Sequence, residues 1–162
     1  MIDFKGARVV ITGAGGGIGS ALCDGFSLCG ARVVGCDIQG MSFPESCGET
    51  YAFDILNRDG MRGAASDIGL VGPPSVVILN AGWTAAASVA STNEEALDEE
   101  LTGNFTNAVL FGQEFLPAMR ATAGNRNFVF ISSVNALAHF GNPAYSAGKA
   151  AGMAWMRAVA VE

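Results

Sequence analysis

The chain has 162 residues, half of them hydrophobic and only 15% charged, which suffices for one domain with a substantial core. A net charge of −6 without any basic stripe argues against a nucleic-acid partner. The first residues lack the basic-then-apolar pattern of a secretory leader, and the weakly polar stretch 71–90 is interrupted by Pro73, Pro74 and Asn80, so a cytoplasmic chain without a membrane span is expected.

Residues 7–12 form a β-branched run that ends at glycines, the pattern of a buried strand. A helix follows over 17–28, with Ala21, Leu22, Gly25 and Phe26 on its apolar face. Residues 31–37 read as a second buried strand, 51–55 as a short third, 57–68 as a weak helix, and 75–79 as a fourth strand closing on Asn80-Ala81-Gly82. A long helix is expected over 93–121, where Leu97, Leu101, Phe105, Ala108, Gly112, Phe115 and Met119 recur at helical spacing. Residues 127–132 make a fifth strand. Pro143 then opens a last helix over 143–162, with Asn142 as its N-cap. Strands alternating with helices predict an α/β fold: a Rossmann-like, doubly wound parallel sheet of five strands in the order 3-2-1-4-5.

Cys23, Cys29, Cys36 and Cys47 show no C-x-x-C spacing and read as reduced, mostly buried thiols. His139, the only histidine, reads as structural or solvated, and no metal site is expected.

From Thr12 the chain runs Gly13-Ala14-Gly15-Gly16-Gly17-Ile18-Gly19 into the first helix. A strand, a glycine turn and a helix N-terminus make an anion site, because free N–H groups and the positive dipole end face the ligand. The strict G-x-G-x-x-G pattern fails, since Ile18 stands where its last glycine belongs; G-x-x-x-G-x-G through Gly13, Gly17 and Gly19 fits. Asp37 ends the second strand and suits the ribose hydroxyls of a dinucleotide. The same carboxylate would repel a 2′-phosphate, so NAD is favoured over NADP. No Walker lysine follows the turn, so phosphoryl transfer from ATP is not expected.

Tyr145 and Lys149 are four apart, on one face of the last helix. A phenol is a poor proton donor near neutrality, with a reference pKa of roughly 10. A cation within reach stabilises the phenolate and makes an acid/base role available.

Five motifs in order, Thr12–Gly19, Asp37, Asn80-Ala81-Gly82, Ser132-Ser133 and Tyr145-x-x-x-Lys149, resemble those of the short-chain dehydrogenases/reductases over nearly the whole chain. The resemblance implies that Gly13, Gly17, Ile18 and Gly19 hold the dinucleotide, that Asp37 selects NAD, and that Asp54 and Ile55 contact adenine. It implies that Asn80, Ala81 and Gly82 brace the sheet beside the cofactor. Asn104 would hold a water in a proton relay, Ser133 would bind the reacting oxygen, Tyr145 would be the acid/base, and Lys149 would assist it and bind the nicotinamide ribose. Ser132 competes with Ser133; neighbouring strand residues face opposite ways, so only one can serve.

Family members run to roughly 250 residues in one domain. The resemblance therefore implies a single NAD-binding domain over 1–162, truncated relative to the family and incomplete at its C-terminus, with much of the substrate pocket absent. Leu137, His139 and Phe140 are expected near the substrate. A homo-oligomer is expected through the helices around 93–121 and 143–162, where Gly148, Gly152 and Ala154 permit close approach. The expected function is an NAD-dependent oxidoreductase interconverting a secondary alcohol and a ketone, with a small-molecule alcohol or ketone as its partner. A non-catalytic dinucleotide-binding module and a helix-mediated interaction protein are the alternatives.

Overall fold

The computed structural model describes residues 3–138 and 140–161; His139 and Glu162 lie outside the described residues. The strands are β1 (Arg8–Thr12), β2 (Arg32–Asp37), β3 (Cys47–Ala52), β4 (Val76–Leu79) and β5 (Asn127–Phe130). The helices are α1 (Gly17–Leu28), α2 (Arg58–Val71), α3 (Glu94–Leu101), α4 (Asn107–Gln113), α5 (Leu116–Ala121) and α6 (Pro143–Val159). All strand pairs are parallel, in the order β3-β2-β1-β4-β5. The expected fold is the one observed.

Side-chain alternation along the strands sorts the core into two layers. Val9, Ile11, Val33, Val76 and Ile78 face one way, toward Cys23, Leu22 and Phe26 of α1. Val10, Val34, Val77 and Leu79 face the other way, toward Met61 and Ile68 of α2, Phe111 of α4 and the neighbouring Phe115. All four cysteines are free, and burial pushes the Cys23 thiol up to about 12 and raises Cys36 as well. No helix among the described residues is long and apolar enough to cross a membrane.

Three local expectations need correction. β3 lies earlier than 51–55, because its half-buried, alternating residues at the sheet edge offer no continuous apolar run. The segment 93–121 is not one helix. A π turn occupies 102–106, and α4 ends before Pro117, which restarts the chain as α5. A proline inside a helix clashes with the carbonyl four residues back, so a break there is the expected outcome of its chemistry. Asn142 precedes α6 with φ of 53° and does not cap it with its side chain. Finally, Gly148 and Gly152 allow close approach within the chain itself: a Cβ at Gly148 would lie 3.2 Å from Asn104 Cβ, and one at Gly152 would fall on the Phe130 ring.

At the end of the sheet where β1 begins, Arg8 is buried. Its guanidinium donates to both carboxylate oxygens of Glu49 on β3, at 2.6 and 3.2 Å. It also donates to the carbonyls of Ile68 and Gly72 at 2.7 and 2.8 Å, closing the end of α2. One side chain thus ties β1, β3 and α2 together.

Candidate active site

At the C-terminal ends of β1, β2 and β4, where ligands bind in open parallel sheets, lies a cleft of about 610 Å³. The expected cofactor residues Gly13, Gly17, Ile18, Gly19, Asp37, Asp54, Ile55, Asn80, Ala81 and Gly82 all line it. The glycine turn has a specific steric cause. Gly13 has φ of 67°, and a Cβ at Gly19 would fall on the Gly13 carbonyl, so helix and strand approach too closely for any side chain there. α1 starts behind Gly16 with no side-chain cap, leaving its first N–H groups facing the cleft mouth.

Asp37 is half-buried. Its Oδ2 accepts the Gly15 N–H at 2.7 Å and its Oδ1 accepts the Ile38 N–H at 2.7 Å, which fixes the carboxylate beside the glycine turn. Thr12 is the hub between β1 and β4: its Oγ1 accepts the N–H groups of Asn80 and Ala81, each at 3.0 Å. Asn80 Nδ2 returns the tie by donating to the carbonyls of Thr12 and Gly13 at 3.0 and 3.2 Å. Asp54 folds onto its own loop by accepting the Leu56 N–H, and the Ile55 carbonyl accepts from Asn107 Nδ2 at 2.7 Å.

A second group of polar residues adjoins the cleft behind Gly82. A Cβ there would stand 2.6 Å from Asn104 Oδ1 and 2.9 Å from Lys149 Nζ. Asn104 sits in the π turn, fully buried, and is held by Nδ2 donating to the carbonyls of Trp83 and Glu100 at 2.7 and 2.9 Å. Lys149 is 3% exposed. Its Nζ donates to the Ile131 carbonyl at 3.1 Å and lies 5.1 Å from the Phe130 ring and 5.6 Å from the Tyr145 ring. Tyr145 is half-buried one helical turn before it.

Ser132 Oγ donates to the Lys149 carbonyl at 3.3 Å, whereas Ser133 Oγ accepts the Asn135 N–H at 3.2 Å and keeps its own proton for another acceptor. Tyr145, Lys149 and Ser133 are not part of the cleft lining itself. Leu137 and Phe140 are 77% and 64% exposed and stand outside it as well.

Burial lowers the Lys149 ammonium from its ordinary 10.5 to about 8. Below pH 8 both folded and unfolded chains hold this proton, and the folded state bears the full cost of the buried cation. Between about 8 and 10.5 the unfolded chain binds more protons, so this group makes stability rise with pH. The cost at neutrality is about 3 kcal/mol. Lys149→Met forfeits the bond to Ile131 and the ring contacts, about 1–2 kcal/mol. The variant is therefore expected to be more stable than the parent by ~1–2 kcal/mol at pH 7, an advantage that disappears by pH 10. Urea unfolding at the two pH values measures this, and a variant less stable than the parent at pH 7 contradicts it.

The family model described as short chain dehydrogenase matches residues 7–162. The chain belongs to the short-chain dehydrogenase family. Among its relatives in that family, an uncharacterized oxidoreductase of Schizosaccharomyces pombe is 33% identical over 150 residues, covering 92% of this chain and 58% of the relative. A gluconate 5-dehydrogenase of Gluconobacter oxydans is 30% identical over 162 residues, covering 93% of this chain and 63% of the relative. The chain thus spans about six-tenths of the length of either. The ligand-free aldohexose dehydrogenase of Thermoplasma acidophilum shares its fold, with a TM-score of 0.89 at 23% identity over 99% of this chain and 62% of the other.

Sequence reading of this short-chain dehydrogenase missed Trp83, Met41, Phe53 and Glu99 in the cleft wall, and Glu100 behind it. Trp83 directly follows Asn80-Ala81-Gly82, a cue that was available. Gly103 gives the other half of that pair, since a Cβ there would overlap the Trp83 ring.

Proposed function

We propose that the protein is an NAD-dependent oxidoreductase that interconverts a secondary alcohol and a ketone, with Tyr145 as the acid/base. The observation that carries this reading is the position of Gly82. It lines the dinucleotide-sized cleft on one side, and Lys149 Nζ and Asn104 Oδ1 stand directly behind it. In this reading the dinucleotide and the proton-handling residues meet at one wall.

The residues present fit the cofactor. The cleft volume lies in the usual ligand range of roughly 300–1,000 Å³. The uncapped start of α1 suits a pyrophosphate. The acids Asp37, Asp54 and Glu99 line the cleft without any lysine or arginine, which suits ribose hydroxyls and opposes a 2′-phosphate. When bound, NAD supplies hydride acceptance or donation at carbon. The chain supplies the rest. Ser133 offers its hydroxyl as a hydrogen-bond donor to the substrate oxygen and keeps its proton, Tyr145 gives or takes the one proton transferred at that oxygen, and the Lys149 ammonium favours negative charge developing there.

Calorimetric titration with NADH and NADPH tests the cofactor reading. The parent is expected to prefer NADH, and Asp37→Ala to weaken NADH about 10–100-fold, the scale of hydrogen bonds to a charged group. Equal affinity for both cofactors in the parent, or an unchanged Asp37→Ala, sinks it. A panel of secondary alcohols and ketones tests turnover. It begins with hydroxy acids of the gluconate type, because one relative is named a gluconate 5-dehydrogenase.

A further inference from the structure

Glu100 is a carboxylate with 3% exposure on α3, and it takes no part in the mechanism above. Its Oε1 accepts the Ala85 N–H at 2.6 Å and the Thr84 hydroxyl at 3.5 Å, while its Oε2 is buried without a partner. Burying a carboxylate this way is costly, and apolar residues would fill the same space more cheaply. What the carboxyl group does is local. The chain after β4 runs without regular structure as far as Asn93, so no helix or sheet ladder supplies acceptors for its N–H groups. Glu100 supplies one.

Asn104 follows Glu100 by one helical turn, and the two act on consecutive parts of the same loop. Asn104 Oδ1 accepts the Trp83 N–H at 3.2 Å, its Nδ2 donates to the Trp83 carbonyl, and Glu100 holds Thr84 and Ala85. The Glu100 backbone carbonyl also accepts from Asn104 Nδ2. Just beyond, Ala86 sits at φ of 55°, where a non-glycine residue persists only when its surroundings impose it. Thr84 Oγ1 accepts the Ala86 N–H at 3.0 Å and so passes the restraint on.

We propose that Glu100 is a positioning residue: its buried carboxylate pins residues 84–85 to α3, and thereby sets the Trp83 wall of the cleft and the approach of Asn104 and Lys149 to Gly82. This rests on the cofactor reading of the cleft for its functional consequence, but not for its structural one. The mechanism needs a hydrogen-bond acceptor at Oε1 rather than a net charge.

Amide hydrogen exchange of the parent, Glu100→Ala and Glu100→Gln, together with Trp83 emission in a Trp155→Phe background and NADH titration, tests the proposal. In the parent, the Ala85 amide is expected to be protected. Glu100→Ala is expected to lose that protection, shift Trp83 emission to the red and weaken NADH about tenfold, the scale of one lost buried hydrogen bond. Glu100→Gln retains a carbonyl oxygen for Ala85 and is expected to restore all three to within about threefold of the parent. An unprotected Ala85 amide in the parent overturns the proposal, as does a Glu100→Ala protein with parental Trp83 emission, or a Gln variant that behaves like Ala. The exchange measurement on the parent holds even where Glu100→Ala does not fold. A parent that binds no NADH yet keeps Ala85 protected, with red-shifted Trp83 in Glu100→Ala, refutes the cofactor reading and leaves the role of Glu100 in the loop standing.

Discussion

Tyr145→Phe is expected to lower kcat by about 10²–10⁴-fold, the range that a positioned acid/base contributes, while NADH affinity and thermal stability stay at parental values. The substitution removes one oxygen and nothing else. The ring remains on α6, half-buried, and its face still meets the Lys149 ammonium 5.6 Å away. Lys149 keeps its bond to the Ile131 carbonyl, so the wall behind Gly82 is undisturbed. A loss confined to kcat separates proton transfer from binding, since an interaction used only in the transition state lowers kcat without altering ground-state affinity. Steady-state kinetics with calorimetric NADH titration makes the comparison. Turnover within threefold of the parent would remove Tyr145 from the mechanism.

The second large effect concerns the far end of the sheet. Arg8→Met is expected to destabilise the protein by about 3 kcal/mol, the lower end of the cost of breaking a buried pair. The lower end applies because Glu49 is 28% exposed and can partly rehydrate. The variant loses a two-pronged bond to Glu49 and leaves the carbonyls of Ile68 and Gly72 without their donor. For a chain of this size the shift is roughly 6–12 °C in Tm. Calorimetry measures it, and Arg8→Met combined with Glu49→Leu should recover part of the loss, because the stranded charge is then gone. NADH affinity below the transition should be parental, since Arg8 starts β1 and the cleft lies where β1 ends. A Tm unchanged in the single variant contradicts the view that this clamp joins three elements.

What could be read from the sequence was what is encoded locally. β1, the glycine turn and α1 were legible because β-branched residues, Gly13 at positive φ and the close approach at Gly19 all leave contiguous marks. The start of β3 was not, because an edge strand carrying Glu49 for Arg8 places a charge where an apolar run would be sought. The apolar spacing after residue 93 continues in helical period past Pro117, where the proline itself forbids an unbroken helix. In the site, residues adjacent to a motif were legible and non-local couples were not. Trp83 with Gly103, and Glu100 with Ala85, are paired only by the fold, and neither member of either pair announces the other.

The π turn at 102–106 acts as a phase shift. One residue beyond regular winding rotates everything after it by roughly 100° about the axis. Before the turn Glu100, and within it Asn104, address the loop beside the cleft; downstream, Phe111 and Phe115 address the sheet. A uniformly wound helix could keep only one of these audiences in step. Losing a single residue from the turn would swing Phe111 out of the core and turn every later side chain toward the wrong neighbour.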